Sequence, residues 1–547
     1  MGFQASLKKF LVLSVVTSSL PSHSFALSLD GEGHYSLRGE TRTNPGASGK
    51  RGIHQAIDQS FRLLGEARVN DKSSFFLEFS LFDDPQNAYL GDKAKLKAGC
   101  TTGSEEGCDG QHQSVVEPRY QPYQPIITKA YGRYAFDFCL LEAGRRGRQW
   151  GMGVFLDSGE DPFAIDASIY DGISCDINLQ KSQTLGISFG YDKISETGTY
   201  VRRSLQADKD FGFGPANKSD DVNQFFLTIM YDDRKSNAGS SLTKQIGFYG
   251  ARLNSASLDD GGNNTELTFV DLYTGFFFSN LAIKNEIVLT LGKTADPNLT
   301  SLGGAYYDDN GEPATNKMNT IGFAGEVAWT LASSGSYIGP EIYRQGNATR
   351  HQLVLTYAFA PGDTDGYYND DRDLEADVAA ADAKYQALNI GKRSKNKAAE
   401  ALAFHKNYKP NLLMFSGRSQ ISDLAVDGIF DPTRVMNAQV YSLGYRYEDL
   451  SMGNFEAKAS IGILNNSLTD TDVKSYYEAN LAETRPIGFY GADLGYELDI
   501  MYWTNFGKDV DIGVAGAALL PGKAWQIEDD SEPENSYLIQ SFISFNF

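Results

Sequence analysis

From about residue 27 onward the chain alternates. Phe75, Leu77, Phe79 and Leu81 are separated by Phe76, Glu78, Ser80 and Phe82; Leu185, Ile187, Phe189 and Tyr191 by Gly186, Ser188 and Gly190. The same beat runs through Phe455, Ala457, Ala459, Ile461 and Ile463, and through Leu494, Tyr496, Leu498, Ile500 and Tyr502, the latter interleaved with Asp493, Gly495, Glu497 and Asp499. A period of two places the two sets on opposite faces of a strand. A soluble sandwich would turn the apolar set to a core. Here the other set is rich in Gly, Ser and charge, which suits the wet interior of a membrane barrel.

The two ends of the chain agree with that reading. Lys8 and Lys9 precede an apolar stretch from Phe10 to Val16, and Ser24-Phe25-Ala26 offers small residues for cleavage. Residues 1–26 are therefore expected to be a secretory signal peptide and 27–547 an outer-membrane barrel. The final YLIQSFISFNF carries Tyr537, Ile539, Ile543, Phe545 and Phe547 on one face. A last strand ending in Phe resembles the signal that bacterial outer-membrane barrels present to their assembly machinery, making that machinery an expected partner through Phe547. No later stretch is apolar enough for a spanning helix.

Connection lengths set the topology. Short links are expected near Asn70-Asp71, Asp137-Phe138, Gln180-Lys181, Ser279-Asn280, Asp449-Asn454 and Thr504-Gly507; long ones cover about 84–126, 193–221, 293–317, 361–432 and 465–487. Short periplasmic turns alternating with long outer loops are the barrel rule. Counting a strand at Tyr337–Gln345 would invert the phase and leave the C-terminus outside, so the fold expected is all-β: an antiparallel transmembrane barrel of 18 strands. Residues 336–349 become an irregular connection or a kinked strand extension. The loop at 361–432 has an acidic start and a middle, 374–406, of helix formers without a continuous apolar face, read as one or two surface helices split near Gly391; they could cap the barrel mouth or fold into it, and solvated helices on an outer loop are the favoured reading.

The formal net charge of −21, or −23 without the leader, argues against nucleic-acid binding, which draws on Lys and Arg. Cys100 and Cys108, in one outer loop of an exported chain, are expected to pair; Cys139 and Cys175 are either a second bridge or two inert thiols. Asp308-Asp309-Asn310-Gly311-Glu312 and the cluster from Asp363 to Asp373 offer oxygen ligands but lack the spacing of a dedicated calcium loop, so no metal or cofactor is assigned. Trp150, Trp329 and Trp503 fall near strand ends and read as interfacial girdle residues.

Alternation also nominates a lumen. Arg62, Arg68, Arg133, Arg146 and Arg148, with Glu66, Glu78 and Glu142, fall on the inner face of the early strands; Asp493, Glu497 and Asp499 fall there near the C-terminus. One wall is thus arginine-rich and the other acidic. Four stretches, GRRGRQWGMG (144–153), TYAFAPGDTDG (356–366), NAQVYSLGYRYED (437–449) and ADLGYELDIMYWTNFGKDVDIGVAGAALLPGKAW (492–525), resemble the alginate-export type of 18-stranded outer-membrane barrel. The resemblance implies export of anionic polysaccharide through an arginine-lined lumen. The expected function is passive passage of hydrophilic, saccharide-type solutes, with outer-membrane lipid and lipopolysaccharide as surroundings. Two other classes stand beside it: a barrel-anchored adhesin or receptor with a blocked lumen, and an outer-membrane hydrolase. The last is disfavoured because His34 and His351 sit on distant strands and no GxSxG-type elbow is expected.

Overall fold

In the computed structural model, the described residues are 28–43, 53–81, 126–160, 167–178, 184–194, 222–234, 236, 240–255, 266–294, 316–338, 343–362, 398–399, 404, 408, 410–415, 435, 437–449, 451–465, 492–507, 509–525 and 533–547. Eighteen long antiparallel strands form a closed ring. They are β1 (Ser28–Thr43), β2 (Ile53–Asn70), β3 (Ser73–Leu81), β4 (Ile126–Ala135), β5 (Leu140–Gly147), β6 (Ile169–Asn178), β7 (Leu185–Ile194), β8 (Val222–Asp232) and β9 (Leu242–Ser255), then β10 (Glu266–Phe278), β11 (Leu281–Thr294), β12 (Asn316–Ile338) and β13 (Tyr343–Ala360). After a two-residue bridge, β14 (Ala398–Ala399), which pairs in parallel with β12, come β15 (Ala438–Asp449), β16 (Gly453–Leu464), β17 (Asp493–Phe506), β18 (Val510–Pro521) and β19 (Ser536–Asn546). Each long strand pairs with its sequence neighbours, β13 with β15, and β1 with β19 to close the ring.

The expected strand count and phase hold. Residues 336–349 belong to a long β12–β13 hairpin: pairing runs out to Ile338–Tyr343, with irregularities between Thr330 and Ala332 and between Ser334 and Ser336. Bulges of this kind bend a ladder without ending it, which is why the segment looks like a separate strand in one dimension.

The outward face is apolar around the ring. Leu227, Ile287, Leu355, Leu443, Ile500 and Val514 are 40–53% exposed, each on a different strand. A continuous apolar belt of that extent is incompatible with water and matches the hydrocarbon band of a bilayer. No described helix is long and apolar enough to cross a membrane; the chain crosses with strands, as a multi-pass outer-membrane barrel. Trp329, half exposed, faces outward on β12 opposite Leu281, near the short-turn rim.

Cys139 and Cys175 form a disulfide with Cα atoms 5.7 Å apart, joining the start of β5 to β6 beside the short-turn rim. Residues 1–26, Cys100 and Cys108, both acidic clusters and most of 361–432 lie outside the described residues. Of that last loop, Phe404 falls in the stretch expected to be a solvated helix and is instead buried and non-helical; beyond that stretch Asn411, Leu413, Met414 and Phe415 are buried as well.

Candidate functional site

The interior is built from the second face of each strand, and two loops fold into it. The first follows β5. Gln149–Gly159 carries Trp150, Val154, Phe155 and Leu156, and a loop this apolar lowers its free energy by leaving water. Its backbone is held by one carboxylate on β11: the N–H groups of Met152 and Phe155 both donate to Glu286. At its far end the Gly159 carbonyl accepts from the Arg62 guanidinium on β2. β2 and β11 are nine strands apart in an eighteen-strand ring, so the loop crosses the lumen from one wall to the opposite one.

The second loop repeats the device. The backbone N–H groups of Leu412, Leu413 and Met414 donate to Glu497 on β17 at 2.9, 2.6 and 2.7 Å, and Lys458 Nζ donates to the Pro410 carbonyl at 2.5 Å. Gly462 leaves the space that the Met414 thioether fills. Both loops end in one apolar cluster inside the ring: Val154 from the first, Phe404, Leu413, Met414 and Phe415 from the second, against Val288, Ala324, Val440 and Leu494 of the walls. Each anchoring glutamate has a second buried acid beside it. Asp271 stands diagonally from Glu286 across the β10–β11 ladder, and Asp499 lies two residues from Glu497 on the same face.

Opposite the clamps, the basic wall assembles across β3, β4, β5 and β7. Register aligns Ser74, Arg133 and Glu142 in one row and Phe76, Tyr131 and Gly144 in the next. Arg133 donates to Glu142 through Nε and Nη2 at 2.9 and 2.7 Å; Arg146 reaches the same carboxylate at 3.4 Å. Arg148 grips Asp192 with two bonds of 2.8 Å, and Arg146 stands 3.8 Å from Asp192. Three guanidiniums thus share two carboxylates. Lys129 pairs with Glu78 at 3.2 Å, and Arg68 with Glu66 at 2.8 Å near the short-turn rim. The arginines are not equally available. Arg133 is 36% exposed, Arg148 13% and Arg146 5%. Arg133 also lies on an aromatic platform: its guanidinium is 4.6 Å from the Phe76 ring centre, and Phe76 and Tyr131 stack at 4.8 Å. Such a cation over a ring remains a donor at its edges.

The opposite wall differs from the acidic surface that alternation suggests. Gly495, at φ +94°, forms a bulge that pairs Gly462 with Gly495 but Ile463 with Asp493. Leu494 turns into the apolar cluster, and Asp493 moves to the face of Ile463, off the inner surface. Glu497 is consumed by the second loop, and Asp499 is buried 3.5 Å from Lys458. Trp150 belongs to the interior, tilted against Tyr249 at 5.8 Å, instead of to a girdle. The Gly-x-Ser-x-Gly spelling at 186–190 lies within the extended β7, not at a strand-to-helix turn.

Asp271, Glu286 and the inward course of both loops are not reached by periodicity. Their signal is an apolar run where a loop should be polar, VFL at 154–156 and LLMF at 412–415, together with lone acids inside strands, as in FVDLY and KNEIV.

No family model matches the chain, and no curated protein sequence does. Among the solved structures it is similar to are the outer membrane protein OprD and the proteins OpdQ and OccK5 (OpdH) of Pseudomonas aeruginosa. OprD has a TM-score of 0.44 at 12% identity, covering 94% of this chain and 93% of that one. OpdQ has 0.43 at 11%, covering 95% and 98%, and OccK5 (OpdH) 0.42 at 10%, covering 95% and 98%. At such identity and TM-score, what this chain does rests on its own residues.

Proposed function

We propose that the protein is a passive outer-membrane channel for small hydrophilic solutes, and that its basic wall favours anionic ones of the saccharide type. The observation that carries this reading is Arg133. It is the accessible member of a cluster with more guanidiniums than carboxylates, and it stands on the Phe76–Tyr131 platform. An arginine fork pairs with carboxylates, and an aromatic face suits the apolar face of a sugar ring. The resemblance to alginate-export barrels supports acidic sugars as the solute class. The loop that crosses the ring acts here as a constriction, bringing solutes close to the charges on the wall, where a pore selects.

The apolar cluster formed by the two loops supports a second reading, a sealed barrel that serves as an anchor for outer loops. Single-channel recording of the purified protein in planar bilayers separates them. Discrete conductance steps, reduced by acidic oligosaccharides and unaffected by neutral ones, are expected for the channel; a lumen that passes no current supports the anchor.

A further inference from the structure

The outward face carries a feature unrelated to the lumen. At the long-loop end of seven consecutive strands, directly paired residues form one polar row: Arg145, Asp171, Lys193, Asn223, Asn254, Glu266 and Lys293. Every member lies within three residues of its strand's end. All share the face that carries exposed Ile173, Phe189, Phe225, Leu227, Leu272 and Leu291, so they point toward lipid. Arg252, exposed and in line with Asn254 on β9, adds a cation. Among the described side chains the sector therefore holds Arg145, Lys193, Arg252 and Lys293 against Asp171 and Glu266, with Arg145 and Asp171 paired at 2.9 Å.

Two contrasts make this sector distinctive. At the same level on the described rim from β13 round to β2, the outward positions include Ile53, Thr43, Phe359, Gln439, Ile463, Asp493, Leu520 and Tyr537, none of them basic. The protein as a whole has a net charge of −21, so a cationic excess on a lipid-facing strip runs against its composition. Directly beneath the row lie Tyr191 and Phe225, their rings 4.9 Å apart, with the Tyr191 hydroxyl donating to Asn223 at 2.5 Å. Charge above and aromatic surface below is the order in which an outer-leaflet lipid presents phosphates and then acyl chains.

We infer that the β5–β11 sector is a binding surface for a phosphorylated glycolipid of the outer leaflet. Lys193, Arg252 and Lys293 hold its sugar-linked phosphates, and the Tyr191–Phe225 strip packs against its acyl chains. This goes beyond general contact with the membrane, because the site recognises phosphate on one sector of the wall.

The test is native mass spectrometry of the full-length barrel, released from detergent with either bisphosphorylated lipid A or its fully dephosphorylated form. The wild type is expected to retain the bisphosphorylated lipid and to lose the dephosphorylated one. Equal retention of both overturns the inference without any variant. In Lys193→Gln/Arg252→Gln/Lys293→Gln, retention should fall on the order of a hundredfold, from about fivefold per basic residue at an anionic lipid surface. Lys72→Gln at the opposite rim should leave it unchanged. Heat-modifiable migration checks that the triple variant is folded; a folded triple variant that binds like the wild type also overturns the site.

Discussion

Phe547, the last residue, closes the barrel on Gly33: the two exchange backbone hydrogen bonds of 2.7 and 2.9 Å, and the Phe547 ring occupies the place of a side chain at residue 33. The ring also stands 6.2 Å from Phe61, continuing an outward aromatic group with Tyr35 and Phe545. Removing Phe547 should destabilise the refolded barrel by about 1–3 kcal/mol, the worth of two backbone hydrogen bonds with their ring contact. Urea unfolding followed by tryptophan fluorescence measures this. Phe547→Ala keeps the backbone bonds and so isolates assembly: if the terminal ring is read by the assembly machinery, the folded fraction in cells drops while the refolded barrel changes little.

The loop clamps make a prediction about conductance. Glu497→Ala removes the acceptor of three backbone N–H groups, and Glu286→Ala the acceptor of two. A buried backbone N–H left without an acceptor costs about 1–3 kcal/mol, so either change should release its loop. Larger single-channel steps are expected from each variant, with strand content by circular dichroism unchanged. Wild-type conductance in both would mean that the loops do not limit the path.

Selectivity should follow exposure. Arg133→Ala is expected to shift the reversal potential toward cations and to weaken block by acidic oligosaccharides, most strongly at low salt, where screening extends beyond about 10 Å. Arg146→Ala should alter selectivity less and stability more, because it strips a buried partner from Glu142 and Asp192; breaking such a pair costs about 3–5 kcal/mol. If Arg133→Ala leaves the reversal potential where it was, Glu142 already neutralises the site and the channel is a general one.

The Cys139–Cys175 bridge closes a span of 36 residues that includes β5 and the whole first loop. Cys175→Ser should lower stability by about 2–4 kcal/mol, read as a lower urea midpoint that matches the reduced wild type. Peptide mapping without reductant should also recover Cys100 and Cys108 joined to each other; two free thiols there would end the expectation drawn from their shared loop.

Alternation and connection length determined the strand number, the direction of each strand and the side of the wall taken by Arg62, Arg133, Arg146 and Arg148. These follow from local rules: a strand's faces repeat every two residues, and a closed ring must alternate its turns. Three things were decided only in the folded molecule. One glycine bulge at Gly495 exchanged Leu494 and Asp493 between faces, because a single extra residue reverses the parity of everything before it. The two loops entered the lumen because Glu286 and Glu497, far away in sequence, supply the acceptors their backbones need once buried, a requirement that no window along the chain contains. Finally, the charge that matters at the wall is the balance among Arg133, Arg146, Arg148, Glu142 and Asp192. That balance exists only after strand register has brought five residues from three strands and a loop into reach of one another.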